Sequence, residues 1–162
     1  MKKQLKSGFT IVELLIVIVV IGILAAITLV TYNGIQTRSN VTSIQTSLSQ
    51  VNKIITMHHT EKGFYPISTT WRSQTNATKD TFIPGLVPEY VNSLPRAMQY
   101  KGGSTFYYRT DATGSEYKLL FLYPSTETIP PEVKEDSTVQ PLIDSIRNNR
   151  GWGYWSSGGA GL

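Results

Sequence analysis

Residues 9–30 read FTIVELLIVIVVIGILAAITLV, and this stretch decides the architecture. It holds 22 residues, no proline and a single charge, Glu13. As a helix rising about 1.5 Å per residue it covers roughly 33 Å, enough for a hydrocarbon core of about 30 Å. Lys2, Lys3 and Lys6 precede it, and the polar stretch that follows carries one early positive charge, Arg38. Basic charge stays on the cytoplasmic side of a span, so the first residues are expected in the cytoplasm and the bulk of the chain outside. Length and composition alone fit a plain single-span anchor. An ordinary secretory signal fits less well. Its apolar run is about 7–15 residues and ends at a small-residue cut, whereas Ala25 and Ala26 lie inside this run.

Glu13 separates these readings. A carboxylate in a span costs about 2.5–3.5 kcal/mol near the centre and less near the interface. A simple anchor has no use for it. A helix that must find a specific partner does, because a positive group on a neighbouring subunit neutralises the carboxylate in low dielectric. The nearest source of such a group is a free α-amine, made by a cut just before Phe9.

The residues KSGFTIVELL resemble the class III signal of type IV prepilins and type II secretion pseudopilins. The match runs through Gly8, Phe9, Thr10, Ile11, Val12 and Glu13, followed by the apolar run. The resemblance implies cleavage between Gly8 and Phe9 by a prepilin peptidase, and N-methylation of Phe9. It implies that Glu13 pairs with the Phe9 amine of an adjacent subunit during assembly. A homo-oligomeric helical filament, an assembly platform and an ATPase follow from the same resemblance. So does a path from the cytoplasmic membrane to an extracellular pilus. Gly8, with no side chain, lets the scissile backbone enter a tight site.

Beyond the run, Val41, Ile44, Leu48, Val51 and Ile55 are spaced by 3, 4, 3 and 4, with Ser, Gln, Thr and Asn between. That is an amphipathic helix. It is expected to run from Phe9 to about Glu61, with Gly63 as its stop. Asn33-Gly34 is a soft point in it, and Gly22 is either a second one or a small-residue helix-packing position. The stripe is short for a coiled coil and has few flanking charges, so it is expected to pack on the chain's own sheet. His58 and His59 are adjacent and therefore point about 100° apart, which is the wrong spacing for a metal pair.

The rest reads as one small head. FIPGLVPEYVNSLP contains Pro84, Pro88 and Pro95, which forbid a long element. Leu86, Val87, Tyr90, Val91 and Leu94 suggest a helical turn clamped to the core. The preceding SQTNATKD is expected to be exposed. The GFYP stretch and the Leu-Pro ending also resemble the loop region of pseudopilins and related pilins. That family's later acidic calcium loop has no counterpart here. Ser104–Thr110 and Glu116–Tyr123 flank DATGS and read as an antiparallel hairpin. PSTETIPPEVKEDST is expected as a surface loop. PLIDSIRNNR is either a short helix, with Leu142, Ile143 and Ile146 inward, or an edge strand. For the tail GWGYWSSGGAGL two uses stay open. Trp152, Tyr154 and Trp155 either lock the tail onto the head or form an exposed recognition surface.

The expected fold is α+β, a long N-terminal helix on a small antiparallel sheet, the pilin lollipop. Its parts are a cleaved leader 1–8, a membrane and polymerisation helix 9–30, an amphipathic continuation 31–62 and a head 63–162. With no cysteine in the chain, packing and turn chemistry must hold the head. No cofactor and no metal is expected. Fifteen Lys and Arg face eleven Asp and Glu, but three of the positive charges precede the apolar run. The net +4 is therefore mostly a topology signal and weak evidence for DNA. Arg72, Lys79, Arg96, Lys101 and Arg109 remain a candidate patch. Tyr107, Tyr108, Tyr117 and Tyr123 read first as ordinary half-buried strand aromatics, with a stacking platform for single-stranded DNA as the alternative. Asn40-Val41-Thr42 and Asn76-Ala77-Thr78 are glycosylation-type triplets. Without GxSxG, P-loop or HExxH, an enzyme is not expected. Three classes stand: a filament subunit serving adhesion, twitching motility, DNA uptake or secretion; a minor tip pilin gripping DNA or a surface; and a monomeric membrane-anchored protein.

Overall fold

The computed structural model describes residues 8–75, 77–97, 103–131, 133, 142–144 and 150–162, apart from the side chains of 29–31 and 33. Among the described residues a long α-helix, α1, spans Ile11–Lys62. Five strands follow, β1 (Arg72–Ser73), β2 (Thr105–Thr110), β3 (Tyr117–Leu122), β4 (Leu142–Asp144) and β5 (Gly151–Trp155), and a short 3-10 helix at Gly159–Gly161 ends the chain's described elements. They form one antiparallel sheet in the order β1-β2-β3-β5-β4. The fold is α+β. Contacts divide the chain into two compact units, Met1–Arg38 and Ser39–Leu162.

In the first unit α1 is apolar all round. Ile11–Thr28 has a mean hydropathy of 3.0 and is long and apolar enough to cross a membrane. None of this window is buried within the chain. The helix runs without interruption through Gly22 and Gly34.

In the second unit the stripe meets the sheet. Val41, Ile44, Leu48, Val51 and Ile55 are all buried, and Ile54 and His58 extend the stripe. They face the inner surface of the sheet. Strand alternation puts Phe106, Tyr108, Leu119, Phe121 and Trp152 on that surface. Phe121 stands at its centre, edge-on to Phe106, Tyr123 and Trp152 at 5.9, 5.1 and 6.3 Å. Tyr117 fastens strand to helix, its hydroxyl donating to Asn52 Oδ1 at 2.5 Å. Phe82, Ile83, Leu86 and Leu94 close the core from the loop side. The expected helical turn is there, with Tyr90 N–H donating to the Leu86 carbonyl at 2.9 Å.

Helix α1 stops at Gly63, whose φ of +81° few residues with a side chain adopt. Its N–H still donates to the His59 carbonyl at 2.9 Å. The hairpin turn is organised by Asp111. Its carboxylate accepts from Glu116 N–H and from the hydroxyls of Thr113 and Ser115.

Several expectations need correction. The helix begins at Ile11 rather than Phe9, because Thr10 caps it. SQTNATKD is not wholly exposed: Arg72-Ser73 pairs with β2, and Gln74 is buried. The Gln74 amide donates to the carbonyls of Lys79 and Pro95 and accepts from Ala97 N–H, each at 3.0 Å. These bonds satisfy the buried amide. In the proline-rich loop Pro130 and Val133 are buried rather than at the surface. Of the two readings for 142–144 the structure takes the edge strand. Of the two readings for the glycine-rich tail the structure takes packing onto the head, with β5 between β3 and β4. Ile146, Asn76, Lys101 and leader residues 1–7 lie outside the described residues.

Candidate assembly site

The residues singled out at the start of the apolar run gather at one helix terminus. A helix leaves its first N–H groups without intrahelical acceptors. Thr10 answers this from the capping position, where its hydroxyl accepts from Glu13 N–H at 3.2 Å. Glu13 answers in return. Its Oε2 accepts from Thr10 N–H at 2.8 Å and from the Thr10 hydroxyl at 2.7 Å. This is a capping box, and its signature is Thr-x-x-Glu ahead of an apolar run. The negative charge also sits at the positive end of the helix dipole.

Both of these bonds use Oε2. Among the described residues Oε1 has no hydrogen-bond partner. Phe9, just before the cap, is 88 % exposed, and Gly8 has open space around it. Gly8, Phe9 and the Glu13 carboxylate, the residues singled out in the sequence for processing and assembly, therefore lie at or just before the first turn of α1. Thr10 belongs to the motif matched in the sequence, but its capping role was not assigned there; the signal for it is the Thr-x-x-Glu spacing to Glu13. Glu13 thus has a use even in an isolated helix.

The other candidate sites fare differently. Trp152 and Trp155 are buried, and Tyr154 is half-buried against the core. The tail aromatics lock β5 into the sheet, so the two indoles offer no recognition surface. Tyr108, Tyr117 and Tyr123 are buried too, which dismantles the stacking platform and leaves Tyr107 half-exposed. Burial pushes the Tyr108 and Tyr117 hydroxyls above the ordinary tyrosine range. Buried His58 has its Nδ1 3.0 Å from the Phe64 carbonyl, so that nitrogen carries the proton and donates. His59 stacks on Tyr65 at 4.1 Å. Among the described residues no three His, Cys, Asp or Glu side chains gather as metal ligands. Arg109 Nε donates to the Thr69 carbonyl at 3.1 Å, while Lys79 and Arg96 line a separate open cleft.

Comparison with known proteins points to the same terminus. Residues 3–29 match the family model described as the prokaryotic N-terminal methylation motif. The chain is 38 % identical over 66 residues to fimbrial protein EcpC of Eikenella corrodens, covering 41 % of this chain and 43 % of that one. It is 42 % identical over 53 residues to the type IV major fimbrial protein FimA of Dichelobacter nodosus, covering 33 % and 34 %. The matches span less than half the length of these curated relatives. No solved structure matches.

Proposed function

We propose that this chain is a structural subunit of a type IV pilus, with no enzymatic role. The observation that carries this reading is the capped terminus Gly8–Glu13 in front of an apolar helix, Ile11–Thr28, none of which is buried among the described residues. Apolar surface on that scale needs either lipid or other copies of the helix. A pilin uses both in turn. The precursor sits in the cytoplasmic membrane with its basic first residues inside. A prepilin peptidase cuts between Gly8 and Phe9, and the new Phe9 amine is methylated. An assembly platform and its ATPase then draw the subunit from the membrane into a helical filament, whose core is the packed segment 9–30.

Glu13 sets the register. Its Oε2 is occupied by the cap, and Oε1 is the oxygen turned over to the Phe9 amine of a neighbour. In the dry filament core that charge pair is strongly favoured over an unpaired carboxylate. Both named relatives are fimbrial proteins, which favours a pilus over a secretion pseudopilus. Burial of Trp152 and Trp155 weighs against an aromatic recognition tail, and so against a tip binder that relies on it. Surface adhesion, twitching motility and DNA uptake are the uses open to such a filament. The test is Glu13→Ala in a strain producing this protein. Processing should continue while surface filaments disappear. Normal filaments from that variant remove the register role.

A further inference from the structure

A buried charge sits on the outer face of the sheet. Lys118 on β3 and Asp144 on β4 pair at 3.2 Å, with their side chains 1 % and 2 % exposed. A lone lysine or aspartate at such a depth is strongly destabilising, and pairing the two relieves this. The ammonium also donates to the Ala160 carbonyl at 2.8 Å and lies 5.0 Å from the centre of the Trp155 ring. One side chain on β3 thus holds an edge strand and the segment that follows β5.

Glu116, two residues earlier on the same strand path, holds that segment as well. Its Oε2 accepts from the Ser156 hydroxyl and from Gly158 N–H, the latter at 3.0 Å. Ser156 N–H donates to the Tyr117 carbonyl at 3.2 Å, and Tyr117 N–H donates to Ser156 Oγ at 3.0 Å. Close approach completes the arrangement. A Cβ at Gly159 would overlap the Tyr117 carbonyl oxygen, and one at Gly158 would meet the Glu116 carboxylate at 2.6 Å. Glycine is what lets this backbone lie flat on β3.

We propose that Ser156–Leu162 is a clasp that closes the outer face of the head. Its two handles are Glu116, just before β3, and Lys118 on β3, two residues apart and of opposite charge. The chain has no cysteine, so this clasp supplies the cross-link between distant segments that a disulfide would otherwise supply. It differs from a disulfide in being reversible and indifferent to redox conditions. It opens as a local unit, without unfolding of the core beneath it.

The test is hydrogen exchange read by mass spectrometry on the full chain in detergent micelles. It follows the peptide covering 156–162 and a reference peptide covering 41–55. Two variants release the clasp in different ways. Gly159→Ala displaces the backbone and leaves every charge in place. The double variant Lys118→Met with Asp144→Leu removes both buried charges, so that neither is stranded. Each should speed exchange of the 156–162 peptide by about tenfold or more, as expected for loss of a charge-assisted hydrogen bond. The reference peptide should keep its protection. Unchanged protection of 156–162 in either variant overturns the proposal. So does equal loss of protection in both peptides, because the segment is then part of the core rather than a clasp.

Discussion

Thr10 and Glu13 cap one another at the first turn of α1, the Glu13 Oε2 lying 2.8 Å from the Thr10 amide and 2.7 Å from its hydroxyl. The pair fixes where the carboxylate points from within its own helix. Thr10→Val keeps the shape and removes the hydroxyl, and it should lower filament yield clearly while leaving cleavage intact. Thr10→Ser keeps the capping oxygen and should assemble normally. Counting filaments per cell by electron microscopy, beside immunoblots of the processed form, checks both. Equal yield from the valine and serine variants would show that the cap plays no part.

Trp152 belongs to the core. It is fully buried beside Phe121, so Trp152→Ala should cost about 3–5 kcal/mol of head stability. Denaturant unfolding of the detergent-solubilised chain, followed by tyrosine and tryptophan fluorescence, measures this. A change within about 0.5 kcal/mol would mean that the indole is not packed as described.

Two glycines with positive φ should respond differently. Gly63 has φ +81° and open space around its Cα, so Gly63→Ala should cost only the left-handed strain of about 1–2 kcal/mol. Gly114 has φ +70°, and a Cβ there would lie 2.7 Å from the Tyr65 carbonyl oxygen. Gly114→Ala must also push the hairpin turn off the GFYP loop, where Tyr65 N–H donates to the Gly114 carbonyl at 2.7 Å. Thermal unfolding should place Gly114→Ala clearly below Gly63→Ala.

Asp111 predicts an acid dependence. The Thr113 hydroxyl, then the Glu116 N–H, hold its carboxyl below the usual carboxylate range. A depressed folded-state pKa stabilises the fold above the unfolded value, about 3.9 for aspartate. That stabilisation is lost as pH falls through the folded value. The wild-type head should therefore lose stability below about pH 4 more steeply than Asp111→Asn, which should be weaker at neutral pH. Parallel melting curves across pH for the two proteins decide it.

What was legible in the sequence followed from periodicity and turn chemistry. The 3-4 spacing from Val41 to Ile55 marks the buried face of α1, because only one stripe of a helix can meet a sheet. DATGS marks the hairpin, because strand formers flank residues that bend. What stayed hidden depends on contacts between distant segments. Nothing local distinguishes Gln74 from its exposed neighbours, since its three partners lie 5 to 23 residues away. Lys118 sits among apolar strand residues, and its partner Asp144 is 26 positions on. The glycines of GWGYW lower strand propensity, so the packing of this tail could be read from its aromatics but its place as an interior strand could not.

The central claim is that residues before Phe9 are removed and the freed amine enters a filament core. Mass spectrometry of the N-terminal peptide, taken from sheared surface filaments, tests it most directly. The filaments should contain this chain as a principal component, beginning at Phe9 and carrying one added methyl group on its amine. A surface-exposed chain that still begins at Met1, with Lys2 and Lys3 in place, would contradict it.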